Sequence, residues 1–160
     1  SLGWGHVLAV RGVAAVSAGQ PGRRFVYALG GYPVRNIFND VIDQRGVGSD
    51  VLRGFAVSQF RGNALVNGTV EYRFPIWTFE EGIDTVPVFI DRLWGGAFAD
   101  FGAVPQSTLQ VDDLRLGLGG ELRLDFSLAY VARYLLRVGY GRGVGSQGRH
   151  NAYVVLGGVF

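Results

Sequence analysis

The stretch Gly143 to Gly148, GVGSQG, satisfies G-x-G-x-x-G letter for letter. Dinucleotide binding needs a helix after such a turn, whose N-terminus receives the pyrophosphate. Here alternating, strand-like segments lie on both sides, so a glycine-rich loop is the expectation. The chain has no lysine, which removes the P-loop, and no G-x-S-x-G elbow. It has no cysteine either, so a thiolate metal site or a disulfide framework is out of reach. His6 and His150 stand alone, with no second ligand at a metal spacing. Glu80, Glu81 and Asp84 form one acidic group and Asp112 with Asp113 another. Both have the charge for calcium, yet both fall in segments read as loops, where solvated carboxylates are the simpler account. No metal, no cofactor and no bond chemistry are therefore expected. What remains is a set of carboxylates and arginines inside regular segments, and their use depends on which way those segments turn them.

The segments repeat with a period of two. From Asn63 to Ile76 one face carries Ala64, Val66, Gly68, Val70, Tyr72, Phe74 and Ile76, and the other Asn63, Asn67, Thr69, Glu71 and Arg73. From Leu116 to Leu128, Leu118, Leu122, Leu124 and Phe126 oppose Arg115, Glu121, Arg123 and Asp125. Residues 89–103 set Phe89, Leu93, Ala97, Ala99 and Phe101 against Arg92, Phe98 and Asp100. Residues 132–140, 152–160, 4–18 and 24–32 complete seven candidate strands. Only VRNIFNDVIDQ, residues 34–44, could form a short turn of helix. The connections alternate: 19–23 and the step near Ala129 are tight, whereas 33–61, 104–114 and 145–151 are longer. Residues 77–88 break that pattern, reading as a long loop where a short turn is expected. The 26 glycines, placed within alternating segments, fit curved and closely spaced strands.

Hydrophobic residues make up 48% of the 160-residue chain and charged residues 18%, which excludes disorder and allows one real core. The arginines are scattered and the formal net charge is +2, so a nucleic-acid partner is not expected. Sequential hairpins of this length suit a soluble β-sandwich binding module or a membrane barrel. The barrel is favoured on three grounds. Arginine and carboxylate share the polar face with glycine between them, which suits a crowded interior where charges pair. The apolar face has rings near strand ends, Tyr72, Phe74, Trp77, Tyr134 and Tyr140, in the manner of an interfacial girdle. Phe160 ends an alternating strand with an aromatic residue, the usual closing signal of a bacterial outer-membrane barrel. The first residue is not methionine, so a mature product or a fragment is expected.

Particular residues then point to a family. LRGF, residues 52–55, resembles the arginine-glycine-aromatic motif of the sixth extracellular loop in the bacterial surface-antigen superfamily of outer-membrane barrels, which includes BamA-type and TamA-type assembly factors and two-partner-secretion transporters. FADFG, residues 98–102, matches that superfamily's F-x-D-x-G strand motif. VEYRFPI, residues 70–76, is similar to its preceding strand, and LGGELRLDF and YVVLGGVF also fit. The likeness covers residues 25–160. It implies that residues 1–160 are the C-terminal portion, seven or so strands, of an all-β, antiparallel transmembrane barrel of about sixteen strands. It implies a Gram-negative outer membrane as location, and lipid, further barrel strands from the same or another chain, and unfolded polypeptide clients as partners. The function implied is insertion or translocation of polypeptides. Carried over residue by residue, the long loop folds inward and Arg53 meets Asp100 and Glu71. Gly54 allows a tight backbone, Phe55 packs the loop tip, and Phe98 and Gly102 complete the strand motif.

The parity of the strands places Glu71 and Asp100 on the polar face without help from the likeness. A competing arrangement leaves Arg53 as a loop arginine and pairs Glu71 and Asp100 with Arg73 and Arg92. Two carboxylates can also serve glycoside hydrolysis, but neutralised by arginine they make poor proton donors. A structural or anchoring barrel fused to a periplasmic domain such as a propeller is the alternative function, since VPVFIDRLWGGAFADFG has some likeness to propeller-fused barrels.

Overall fold

The computed structural model describes residues 5–20, 25–31, 49–82, 88–106, 110–128 and 132–159. The chain is all-β, and most of it is one antiparallel sheet. That sheet contains β1 (Val7–Val16), β5 (Ala64–Gly82), β6 (Val88–Ala103), β7 (Arg115–Leu128), β8 (Ala132–Gly143) and β9 (His150–Val159), in that spatial order. A second, three-stranded sheet holds β2 (Tyr27–Gly30) between β3 (Ser49–Val51) and β4 (Phe60–Gly62). It lies in the excursion between β1 and β5. A single 3-10 turn, Val111–Asp113, precedes β7 among the described residues.

Two expectations change. Residues 24–32 do not add a strand to the large sheet: β2 is only four residues long and pairs with β3 in parallel and with β4 in antiparallel. The large sheet therefore has six strands among the described residues, not seven. Residues 77–88 are not a long loop either, because β5 continues to Gly82 and β6 begins at Val88. Pro75 hid that continuation. Proline cannot donate to a ladder and is tolerated where one side of the strand is unpaired. β1 pairs with β5 only as far as Val7 opposite Arg73, so Pro75 lies beyond that ladder, and the register with β6 shifts between Pro75 and Trp77. The shift resets the alternation that the sequence displays up to Ile76. The helical turn at 34–44, the residue Asp84 and the terminal Phe160 lie outside the described residues, as do the side chains of Glu80 and Glu81.

The apolar face of the sheet is the exposed one and the polar face the covered one. Leu8, Val10, Leu118, Leu122, Val138 and Val154 stand on one face and are exposed, Leu122 by 50% and Val154 by 69%. The opposite face carries Asn67, Glu71, Asp100 and Glu121, all buried. Burial comes from the small sheet and the turn after β3, which fold over the polar face. Leu29, Leu52, Phe55 and Leu65 form the buried apolar cluster there, with Val13, Tyr27, Phe60 and Val104 packed against it. Among the described residues this apolar core sits between the excursion and the polar face, at the rim where β1 ends and β5 begins.

Candidate functional site

The turn after β3 delivers Arg53 to the centre of the polar face. Its Nε and Nη2 donate to Oδ2 and Oδ1 of Asp100, each at 2.6 Å, and its backbone N–H adds a third bond to Oδ2 at 3.1 Å. Nη1 donates to Glu71 Oε1 at 3.2 Å and lies 3.7 Å from Glu121 Oε2. The guanidinium plane rests on the Phe98 ring, with Cζ 3.3 Å from its centroid. This is the fork geometry that arginine has and lysine lacks, with a cation–π contact beneath. Arg53 is 4% exposed and Asp100 fully buried. Burial alone pulls the Arg53 guanidinium down, but the Asp100 carboxylate, with Tyr153 adding to it, holds the group above its ordinary value.

The network extends beyond the residues anticipated from sequence. Glu71 also accepts from Arg73 Nη2 at 2.5 Å and from Arg123 Nη2 at 2.8 Å. Glu121 receives Arg137 Nη2 at 2.8 Å and the Tyr153 hydroxyl at 2.8 Å, and Arg123 pairs with it as well. The alternative partnership is therefore half present: Arg73 does bind Glu71, alongside Arg53 and not in its place. Asp100, by contrast, is held by Arg53. Glu121, Arg123, Arg137 and Tyr153 were not singled out from sequence. Their parity was visible, since Glu121 and Arg123 sit on the same face as Arg115 and Asp125. What the sequence lacked was the cross-strand register, in which Glu121 faces Gly139, and Gly139 faces Tyr153.

Glycines make the approach possible. Gly54 has φ +90°, a conformation L side chains rarely adopt, and a Cβ there would run into the backbone of Arg142 and Gly143. On the receiving face a Cβ at Gly117 would strike the Arg53 carbonyl, and one at Gly143 the Gly54 carbonyl. Gly119 makes room for the Phe98 ring and Gly139 for the Tyr153 ring. Gly102 leaves space for Leu29 of the small sheet, whose Cδ2 would lie 2.8 Å from an added Cβ. The F-x-D-x-G stretch is thus a ring under the guanidinium, the carboxylate that grips it, and a gap for the small sheet. Phe55 packs edge-on against Phe60 at 5.4 Å between centroids, and Arg149 N–H donates to the Gly54 carbonyl at 2.8 Å.

Chemically the site is a clamp. Its carboxylates are engaged by guanidinium groups, its ring contacts are tight, and it ties a turn to four different strands. His6 lies away from it against Tyr72, and His150 against Tyr140. Asp113 accepts from Gln110 N–H at 3.1 Å. Gly143–Gly148 joins β8 to β9, with no helix after it. Among the described residues no group of three His, Cys, Asp or Glu is placed to hold a metal. Comparison with protein-family models, with curated proteins and with solved structures finds no match for this chain.

Proposed function

We propose that the chain is a C-terminal barrel portion of a bacterial outer-membrane protein of the surface-antigen type, which helps insert or translocate polypeptides, its inward-folded turn locked by Arg53 to Asp100 and Glu71. The observation that carries this reading is that the apolar face of the sheet is exposed and the polar face covered. A buried ionic network lies under an in-folded turn, while leucines and valines cover the open face. In water a continuous apolar face of this kind drives association; in a bilayer it is the required exterior. A soluble sandwich would need its second layer on the apolar face. Among the described residues the covering element lies on the other side, against the charges.

β1 and β9 each have one unpaired edge among the described residues. Lipid does not tolerate open edges, so the membrane reading includes further strands, from the same polypeptide or another, that close the wall. The work such a wall does is binding and conformational gating, because the clamp can hold a turn in the interior and release it. An anchoring barrel would use the same wall and the same clamp without a client. Reconstitution of the protein into liposomes with an unfolded barrel client separates the two. Faster client insertion or passage, lost with Arg53→Ala, is the expected result; membrane residence with no effect on the client would leave the anchoring function.

A further inference from the structure

Four arginines form the inner ionic network, and a separate pair lies at one rim. On the inner face Arg53, Arg73, Arg123 and Arg137 each meet a carboxylate. Arg142 is on the other face: it stands in register with Leu118 of β7 and His150 of β9. With Arg149 these residues line a cleft of about 310 Å³ at the rim, with no acidic residue in its lining. Among the described residues neither Arg142 nor Arg149 has a carboxylate partner. One register step along the same strands, Gly120, Tyr140 and Ala152 begin a trough of about 470 Å³, continued by Leu122 and Val138. Glu121 also borders the trough, but its carboxylate is turned to the inner network. The Tyr140 hydroxyl and His150 Nδ1 are hydrogen-bonded at the junction of cleft and trough.

We propose that this outer surface holds one acylated lipid through its phosphate, with Arg142 and Arg149 on the phosphate and an acyl chain in the trough. The proposal rests on the membrane reading above. A cation on a bilayer-facing surface requires an anion or water, and guanidinium is suited to phosphate oxygens. Two arginines lining one cleft without a carboxylate, beside a shallow open apolar trough, match a ligand that is anionic at one end and aliphatic at the other. The cleft is also preset. Arg149 N–H is held by the Gly54 carbonyl at 2.8 Å, Gly143 N–H by the Arg149 carbonyl at 3.1 Å, and Gly148 N–H by the Gly145 carbonyl at 3.1 Å. Less ordering is left for the ligand to impose.

The test is native mass spectrometry of the protein released from phosphatidylcholine bilayers doped with phosphatidic acid or with diacylglycerol, with inorganic phosphate as competitor. Selective retention of phosphatidic acid is expected, with weaker retention by about fivefold for each arginine removed in Arg142→Gln and Arg149→Gln. Ala152→Leu, which fills the trough and leaves the arginines in place, should also lower retention. Equal retention of the two lipids, displacement by inorganic phosphate alone, or a double arginine variant that behaves as the parent would overturn the proposal while leaving the membrane reading intact. A protein that never enters the bilayer would overturn both.

Discussion

Two faces of one sheet, separated by the thickness of a strand, follow opposite rules. On the inner face Asp100, Glu71 and Glu121 are buried, and each is satisfied by several hydrogen bonds or ion pairs: Asp100 by Arg53, Glu71 by Arg53, Arg73 and Arg123, and Glu121 by Arg123, Arg137 and Tyr153. On the outer face, apart from Arg142 and His150 at the rim, the side chains are mostly apolar and exposed, and their neighbours are other apolar side chains on adjacent strands. A charge out of water is tolerable only with a partner of good geometry, and a large contiguous apolar face in water favours association. The difference teaches that the polar face is the specified one. Its contacts are directional hydrogen bonds between charged groups, whereas the outer face is packed by apolar side chains, with glycine gaps such as Gly68 beside Phe101 and Gly95 beside Phe74.

The comparison makes unequal demands on substitutions. Arg53→Ala leaves Asp100 buried without its guanidinium, and the expected loss is about 3–5 kcal/mol, measured by denaturant unfolding of the protein in lipid. Leu122→Arg tests the other face: a cost of about 2–4 kcal/mol is expected if the position meets the bilayer interior. A protein whose outer face met water would accept that arginine almost freely. Gly117→Ala should cost about 1–3 kcal/mol by pressing a methyl against the Arg53 carbonyl. It should also raise protease cleavage within residues 52–59 as the turn is displaced. Arg53→Lys keeps the charge but loses the fork and the flat contact with Phe98, for about 1–2 kcal/mol. If Lys equals Arg at this position, the clamp is a charge effect and not a geometric one.

Much of this contrast is legible in the residues themselves. Alternation from Asn63 to Ile76 and from Leu116 to Leu128 separates Glu71 and Glu121 from Tyr72 and Leu122 without any coordinates. The contact of Arg53 with Asp100 and Glu71 was anticipated through the likeness of LRGF and FADFG to a family, since Arg53 and Asp100 lie far apart in the chain and no periodicity links them. Three features were hidden. The small sheet is built from strands of three and four residues, too short to show a period. The end of β5 was masked by Pro75 and the register shifts that follow it. The track of Gly117, Gly119, Gly139, Gly141 and Gly143 reads as general strand curvature, and only the register places it under the turn and the rings of Phe98 and Tyr153. Local pattern gives the face of a residue; partnership across strands needs the pairing.

Under the proposed membrane reading the apolar face meets lipid while the charged face meets the enclosed interior. The chain has no cysteine, so single cysteines at Leu118, Leu122 and Val154 on one face, and at Thr69 on the other, can each carry one spin label in reconstituted bilayers. Collision with oxygen, which concentrates in lipid, and with a water-soluble nickel chelate then reports the surroundings of each site. The account predicts oxygen contact with little nickel contact at the three outer positions and the reverse balance at Thr69. Labels at Leu118, Leu122 and Val154 that collide freely with nickel, while the protein is folded and membrane-bound, would contradict it.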